Sequence, residues 1–349
     1  MMTKQRDAYW DNLKLVLIFL VTLGHFLLPV SNKGRSVTTV LFWIYLFHMP
    51  AFVFVSGFFS RSFVRKENKV YKLNGFLIVY FLFTIAIWTL QLIFKHNFSA
   101  RAILSPGGAP WYMLTMFFWY LLIPYVSCLR PVMTFPLFIL LALLAGLVPE
   151  CGSFLALSRT IVLFPFFLLG FYFDGRLIGR IRPWMRVLAA VFLLGAAFAM
   201  FRSSGRLGPF FRVIYADRSY EGMGLSVKVG ASYRSLWLLL SAAMTGALMC
   251  LIPRRRFRLS FIGERTLAIY IFHRLLRDIF QYLDLYRYFG SGLVLLFSLM
   301  LISAVLVFIG SAKPFTVLLD RCFHVGFLTV KPVKSESADP EGPGSGRGS

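Results

Sequence analysis

Apolar runs of about 20 residues recur from residue 12 to residue 312, with no stretch between them long enough for a soluble domain. A helix that crosses the hydrocarbon core of a bilayer needs about 20 such residues. The 349-residue chain is 58% hydrophobic and 15% charged, whereas soluble domains are usually about 45–50% apolar and about 25% charged. The sequence therefore predicts an all-α, polytopic membrane helix bundle of about ten transmembrane helices. The predicted spans are 12–30, 37–60, 74–94, 111–129, 132–148, 154–173, 184–201, 235–252, 260–283 and 290–312.

The net charge of +23 comes from basic residues that stand in short clusters between the apolar runs. Such clusters set the orientation of membrane proteins and attract anionic lipid headgroups, so the lipid bilayer and not nucleic acid is the expected partner. Lys and Arg are more frequent in the N-terminal segment and in the connections that share its side, which predicts cytoplasmic N- and C-termini. The loop 202–234 departs from this bias with six basic residues, and it could be a re-entrant or substrate-facing element.

The chain divides into a membrane domain, residues 1–330, and a polar tail, residues 331–349, that is rich in Gly, Pro and Ser. A segment of that composition cannot bury a core, so the tail is predicted to be disordered. The cysteines show no CxxC pair and no metal-ligand spacing, which predicts neither a disulfide framework nor a metal site. They are Cys128, Cys151, Cys250 and Cys322.

The first apolar span carries three ionisable residues, Asp11, Lys14 and His25. His25 follows Lys14 by 11 residues and Asp11 by 14, about three and about four helical turns, so the three share one face of a helix. An ionisable stripe on a membrane helix is costly and indicates a buried or water-lined functional site. The alternative is that Asp11 and Lys14 lie at the membrane edge while His25 is a hydrogen-bonded interior histidine.

Two further spans place polar residues in an apolar setting. In the second span, His48 lies near mid-depth before Pro50, which kinks a helix and frees a backbone carbonyl. Ser56 and Gly57 follow and are small enough for close helix contact. The fourth span begins at Trp111, which favours an interfacial anchor, although a ring that stacks on a sugar is the alternative.

The ninth span is the second polar helix. Four of its residues follow one another at spacings of 4, 3 and 4 and share a face, namely Thr266, Tyr270, His273 and Arg277. The first, second and ninth spans then each carry one histidine inside the bilayer, which predicts that these histidines converge on a polar centre. Metal binding is one interpretation, but no Asp or Glu stands at ligand spacing. A general base fits better, because a histidine pKa near about 6.5 suits proton transfer at neutral pH.

Five motifs in sequence order then resemble the membrane acyltransferase family 3. The run DNLKLVLIFLVTLGH (11–25) has the family's basic residue, ten intervening residues and a histidine. Lys14 replaces the usual arginine, as in the fucose 4-O-acetyltransferase-like branch, which the chain resembles more closely. The other motifs are FHMPAFVFVSGFF (47–59), PWYMLTMFFWYLLIP (110–124), FPFFLLGFYF (164–173) and FIGERTLAIYIFH (261–273). The resemblance covers nearly the whole membrane domain.

The resemblance implies an O-acyltransferase that moves an acyl group, usually acetyl, from acyl-CoA in the cytoplasm to a hydroxyl of a carbohydrate or glycoconjugate. Acyl-CoA would be a co-substrate, and no bound cofactor is implied. By position, His25 is the expected catalytic base, Lys14 stands in for the motif arginine, and His48 belongs to the catalytic group. Substrate or donor binding is expected of Asp11, Ser56, Trp111, Tyr270, His273 and Arg277.

The expected oxyanion donor is His48, Tyr270 or Arg277, and Asp11 is expected to pair with Lys14. The basic loops 61–72 and 253–258 would attract a polyanionic donor, although setting the topology alone could explain most of these charges. A transporter or flippase for a glycolipid or polar solute is the alternative function, and a structural membrane protein is a third. The expected location is the inner membrane of a bacterium or a secretory-pathway membrane of a eukaryote.

Overall fold

The computed structural model describes residues 7–65, 70–96, 104–105, 108–203 and 207–323. Over these residues the chain is helical and contains no β-strand. The α-helices with described bounds are α1 (Ala8–Leu27), α2 (Arg35–Arg65), α3 (Val70–Lys95), α4 (Trp111–Val126), α5 (Pro131–Leu144), α6 (Leu157–Tyr172), α7 (Pro183–Ser203), α8 (Gly208–Ile214), α9 (Val227–Leu251), α10 (Thr266–Tyr282), α11 (Gly292–Gly310) and α12 (Lys313–Phe323). A short 3-10 turn, Ser260–Arg265, runs directly into α10.

The predicted all-α membrane bundle is confirmed, and each of the ten predicted spans coincides with one of these helices. Within the described ranges, seven helices are long and apolar enough to cross a membrane, namely Ala8–Val30, Arg35–Val64, Leu73–Lys95, Phe154–Tyr172, Pro183–Ser203, Val227–Leu251 and Gly292–Gly310. The helices α4 and α5 are apolar but shorter. The ninth predicted span was placed too early, because only the part from Thr266 onwards is α-helical. The cytoplasmic termini stay a prediction, and the tail 331–349 lies outside the described residues.

Helix α1 lies inside the bundle, against α2, α10 and α11. Most of its side chains are buried, and these include the polar Asp11 and Asn12. Helices α7 and α11 instead expose long apolar side chains such as Val191, Leu194 and Phe297. A helix that is apolar all round is stable only in a protein core or in lipid. The peripheral helices therefore meet the lipid, and α1 is shielded from it.

Helices α2 and α6 cross at a close approach between backbones. A Cβ added at Gly57 would overlap the carbonyl of Phe167, and one added at Gly170 would overlap the carbonyl of Phe54. The prediction of close helix contact at Gly57 is therefore confirmed. Small residues drive such contacts in membranes, because lipid tails leave little hydrophobic force between helices.

Helix α2 continues through Pro50, which removes the hydrogen bond that the carbonyl of Leu46 would otherwise accept. Helix α9 satisfies that carbonyl instead, because Trp237 Nε1 donates to it at 3.0 Å and Ser241 Oγ at 2.5 Å. An unsatisfied backbone carbonyl would be costly at this depth. The proline thereby ties α2 to α9 at Leu46, two residues before His48.

The N-terminal end of α1 is tied to the basic loop 253–258. Asn12 Nδ2 donates to the carbonyls of Pro253 at 2.8 Å and Arg255 at 3.0 Å. Its Oδ1 accepts from Ser260 Oγ at 2.6 Å. Gly263 lies so close to the carbonyl of Asp11 that a Cβ would overlap it. These contacts place the basic loop at the same end of the bundle as Lys14.

Candidate active site

Two neighbouring cavities open inside the bundle along α1. An apolar cavity of about 280 Å³ has Lys14, Ser56 and Thr266 among its few polar lining residues. A polar cavity of about 260 Å³ is lined by His25 and by three arginines, Arg159, Arg274 and Arg277. Met49 and Tyr270 line both cavities and therefore stand at the boundary between them. One helix thus presents Lys14 to one cavity and His25 to the other.

His25 and His273 form a hydrogen-bonded pair across α1 and α10, with Nδ1 of His25 2.9 Å from Nε2 of His273. Nδ1 of His273 lies 2.7 Å from the carbonyl of Ile269. A carbonyl only accepts, so Nδ1 of His273 carries the proton and its Nε2 is the acceptor. His25 must then donate from Nδ1, which leaves its Nε2 with an open lone pair. The carbonyl of Ile269 thereby sets both tautomers and leaves His25 equipped as a base.

His48 lines the polar cavity with His25. Its Nδ1 lies 2.8 Å from the carbonyl of Ile44 and therefore carries the proton. The Nε2 of neutral His48 is consequently an acceptor. Three histidines from α1, α2 and α10 meet at this point in the fold, as the sequence predicts. Neutral His48 has no N–H left to donate to an oxyanion.

Tyr270 and Arg277 are the other two predicted oxyanion donors. The hydroxyl of Tyr270 donates to the carbonyl of Ala109, so its proton is already engaged. Arg277 donates from Nε to the carbonyl of His25 at 3.3 Å and from Nη1 to Asp278 at 2.8 Å. Its Nη2 has no partner among the described residues. Of the three predicted oxyanion donors, Arg277 is therefore the one with an N–H group still able to donate a hydrogen bond into the polar cavity.

Lys14 and Asp11 form an ion pair of 2.9 Å at the other end of α1. The pairing predicted from their spacing is confirmed. The Asp11 side chain is only 3% exposed and lies outside the walls of both cavities. Asp11 therefore does not contact either cavity. Its ion pair holds Lys14 in the wall of the apolar cavity.

The remaining predicted site residues divide between the two cavities. Ser56 lines the apolar cavity, and its Oγ lies 2.6 Å from the hydroxyl of Tyr112. Trp111 lines the polar cavity, and the guanidinium of Arg159 lies 5.0 Å from the centre of its ring. Arg159 therefore covers one face of the Trp111 ring, and the stacking of a sugar on Trp111 stays a prediction.

The sequence interpretation missed Arg159, Tyr215 and Asp217. Arg159 donates from Nε to the carbonyl of Tyr215 at 3.1 Å and from Nη2 to Asp217 at 3.0 Å. Arg159 could have been identified from the sequence, because it stands inside the apolar run 154–173 and an arginine is costly in a membrane helix. Tyr215 and Asp217 belong to the loop 202–234, whose substrate-facing interpretation fits their place in the cavity wall. Burial, helped by Asp217, raises the pKa of Tyr215 to about 12, so its hydroxyl stays protonated.

The basic segment 61–72 is only partly described. Arg61 donates to the carbonyls of Phe171 and Phe173 at the C-terminal end of α6. A positive charge is favourable there, because the last carbonyls of a helix have no partner within the helix. These contacts tie the C-terminal part of α2 to the end of α6. The side chains of Arg65, Lys66, Lys69 and Lys72 lie outside the described residues.

A bundle of membrane-spanning helices that encloses a hydrogen-bonded histidine pair beside a polar cavity defines an integral membrane protein with a candidate acid–base site. The acyltransferase 3 family, described as an acyltransferase domain, matches residues 7–312. The chain belongs to this family, and its long apolar helices make it a multi-pass membrane protein. The resemblance drawn from the five motifs is thereby confirmed.

The nodulation protein NolL of Mesorhizobium japonicum is a relative with 28% identity over 191 residues. The match covers 49% of this chain and 48% of that protein, so each is spanned over about half of its length. No solved structure matches the chain. Within the described ranges, no group of three His, Cys, Asp or Glu residues is placed to hold a metal ion. The absence of a metal site and of a bound cofactor stays a prediction.

Proposed function

We propose that the protein is an O-acyltransferase that moves an acyl group, in the simplest case acetyl, from acyl-CoA to a hydroxyl of a carbohydrate or glycoconjugate. The hydrogen-bonded series from the carbonyl of Ile269 through His273 to His25 carries this proposal. It leaves one imidazole lone pair open beside a polar cavity. General-base catalysis of alcohol attack needs such a group.

The two cavities fit the two substrates. The apolar cavity lies at the Lys14 end of α1, where the loop 253–258 supplies four arginines at the same end of the bundle. A pantetheine arm and acyl chain suit an apolar passage, while the phosphates of CoA suit arginines outside it. The polar cavity, with its histidines and arginines, suits a carbohydrate. The thioester carbonyl would then lie near the boundary formed by Met49 and Tyr270.

The reaction follows from this arrangement. Nε2 of His25 takes the proton of the acceptor hydroxyl as its oxygen bonds to the thioester carbonyl carbon. The carbonyl oxygen becomes an oxyanion, and the Nη2 group of Arg277, which has no partner among the described residues, would stabilise it. The intermediate collapses, the carbon–sulfur bond breaks, and the thiolate takes the proton from His25 to leave as free CoA. The acceptor keeps the acyl group as an ester, and His25 returns to its neutral form.

The test compares His25→Asn with His96→Asn, a histidine that lies exposed at the end of α3. Purified protein in lipid nanodiscs is given acetyl-CoA and a glycan acceptor pool, and both thiol release and the acetyl mass increment are measured. A general base typically contributes about 10²–10⁴-fold, so His25→Asn is expected to lose that factor. His96→Asn should keep the wild-type rate. Wild-type rates in a correctly folded His25→Asn variant would contradict the proposal.

A flippase would give a different result in the same nanodiscs or in vesicles. It would move a labelled glycolipid between leaflets without acyl-CoA and would release no thiol. Acyl transfer requires acyl-CoA consumption in step with acceptor modification. The membership in an acyltransferase family favours the second outcome.

A further inference from the structure

The polar cavity holds more buried positive charge than its carboxylates compensate. Its wall contains Arg159, Arg274 and Arg277, named here the arginine cluster. Arg159 pairs with Asp217 at 3.0 Å. Arg274 and Arg277 both contact the single carboxylate of Asp278, which is 3% exposed. Three guanidinium groups therefore share two carboxylates.

The other ionisable groups of the cavity do not remove this excess. His25 and His48 line the same cavity, and a histidine side chain is neutral or positive, so neither supplies a negative charge. Arg218 lies 4.0 Å from Asp217 and adds a further positive charge, but its side chain is 69% exposed. A buried cation without a full counter-charge is costly in a membrane interior. An anion that entered the cavity would compensate this charge.

The cluster also keeps hydrogen-bond donors for such an anion. The described bonds of Arg159 use Nε and Nη2, and those of Arg277 use Nε and Nη1. Nη1 of Arg159 and Nη2 of Arg277 therefore have no partner among the described residues. Guanidinium groups match the oxygens of carboxylates and phosphates in geometry as well as charge. The ring of Trp111 lies under the guanidinium of Arg159 and helps to hold that side chain in the cavity wall.

The donor's own phosphates are a less suitable occupant. They would be met first at the Lys14 end, where the loop 253–258 lies against the start of α1. The arginine cluster lies in the other cavity, beyond the boundary formed by Met49 and Tyr270. The anion in the polar cavity is therefore assigned to the acceptor.

We infer that the acceptor is an acidic carbohydrate, with a carboxylate or phosphate group near the hydroxyl that receives the acyl group. This inference rests on the proposed function and narrows its substrate class. The arginine cluster binds the acidic group of this acceptor. The hydroxyl is thereby directed at Nε2 of His25.

The experiment uses three matched oligosaccharide acceptors that end in glucose, glucuronate or glucose 6-phosphate. Wild-type protein in nanodiscs is assayed with acetyl-CoA, and the KM for each acceptor is compared. The acidic acceptors are expected to have a KM lower by about tenfold or more, as for a charge-assisted hydrogen bond. A preference for glucuronate or for glucose 6-phosphate separates a sugar acid from a sugar phosphate as the natural source of the charge.

Variants of single arginines test whether the arginine cluster causes the difference in KM between acidic and neutral acceptors. Arg159→Gln should raise the KM of the acidic acceptors to that of the neutral one, and Arg159→Lys should retain part of the preference. Arg287→Gln, an exposed arginine outside the cavity, should leave the preference intact. If Arg159→Gln does not fold, Arg159→Lys is the test of the role of Arg159. It keeps the positive charge but loses the planar guanidinium, so it should reduce the preference for acidic acceptors without abolishing it.

Two results would overturn the inference while leaving the acyltransferase proposal standing. One is equal KM values for the three acceptors. The other is a rise in the KM for acetyl-CoA alone in Arg159→Gln, which would assign the cluster to the donor. If none of the acceptors is acylated, the thermal shift that each produces is measured. Stabilisation by the acidic acceptors only, lost in Arg159→Gln, supports the inference, and equal shifts overturn it.

Discussion

At the scale of single residues, the open lone pair of His25 depends on an atom that never meets a substrate. The carbonyl of Ile269 accepts from His273, which in turn accepts from His25. If His273 were unable to accept, His25 would be free to carry its proton on Nε2, and that nitrogen could no longer serve as the proposed base. His273 is therefore a positioning residue for His25, in the sense that an orienting partner fixes the tautomer of a catalytic histidine.

We predict that His273→Leu lowers kcat by about 10²-fold or more, because partners that fix a histidine typically contribute about 10–10²-fold and at times far more. The KM for acyl-CoA should change little, since His273 does not line the apolar cavity. His273→Asn can still accept through Oδ1 and should recover part of the rate. Equal losses in the two variants would indicate a packing role instead of a positioning role.

A second prediction concerns the ion pair of Asp11 and Lys14. Lys14→Met leaves a buried carboxylate without its partner, and breaking a buried pair typically costs about 3–5 kcal/mol of stability. The double variant Asp11→Asn with Lys14→Met removes both charges and should recover most of the thermal stability. Its KM for acyl-CoA should nevertheless stay raised if Lys14 contacts the donor.

The control for this pair is Lys14→Arg, which keeps the charge and should stay close to wild type in both measurements. Stability and KM are read separately, by an apparent Tm in detergent and by steady-state kinetics. A double variant with wild-type KM would show that Lys14 is structural only.

At the scale of the helices, the site depends on the close crossing of α2 and α6. Gly57 of α2 meets the backbone of α6, and Gly170 of α6 meets that of α2. Helix α2 carries His48 and Ser56, whereas α6 carries Arg159. Both walls of the polar cavity therefore depend on how far apart these helices lie.

We predict that Gly57→Ala separates α2 from α6 and lowers the apparent Tm by several degrees. Overpacking costs about 1–3 kcal/mol and occasionally more, and 1 kcal/mol corresponds to about 2–4 °C in a chain of about 150–250 residues. Gly195→Ala in α7 is the matched control, because a Cβ there meets no atom within 4 Å. A Tm unchanged by Gly57→Ala would show that the crossing can relax at little cost.

The helices and part of the site could be predicted from the sequence, for a physical reason. A run of apolar residues must be helical in lipid, and an ionisable group within it is costly, so His25 and His273 stood out. The hydrogen bond between them joins residues that are 248 positions apart, so no local sequence pattern could predict it. Tyr215 and Asp217 lie in a polar loop, where such residues are ordinary, and only the fold brings them into the cavity.

At the scale of the whole molecule, the order of the cavities along α1 gives the reaction a direction across the membrane. Lys14 and Val21 of α1 line the apolar cavity, and His25, nearer the C-terminal end of α1, lines the polar cavity, whereas the loop 253–258 packs against the N-terminal end. If the N-terminus is cytoplasmic, acyl-CoA reaches the first cavity directly from the cytoplasm. Under the proposed function the acceptor would enter from the opposite side, into the polar cavity that His25 and His48 line.

The last prediction tests that orientation by cysteine accessibility. In a background without the native cysteines, Asn32→Cys and Arg255→Cys are introduced at exposed positions near opposite ends of α1. A membrane-impermeant maleimide added to intact cells should label Asn32→Cys, whereas Arg255→Cys should be labelled only after the membrane is opened. Both variants must keep acyl transfer for the comparison to hold. The reverse pattern would place the apolar cavity and its arginines away from the cytoplasmic pool of acyl-CoA. The donor would then have to enter through the polar cavity, which would exchange the substrates assigned to the two cavities and remove the argument for an acidic acceptor.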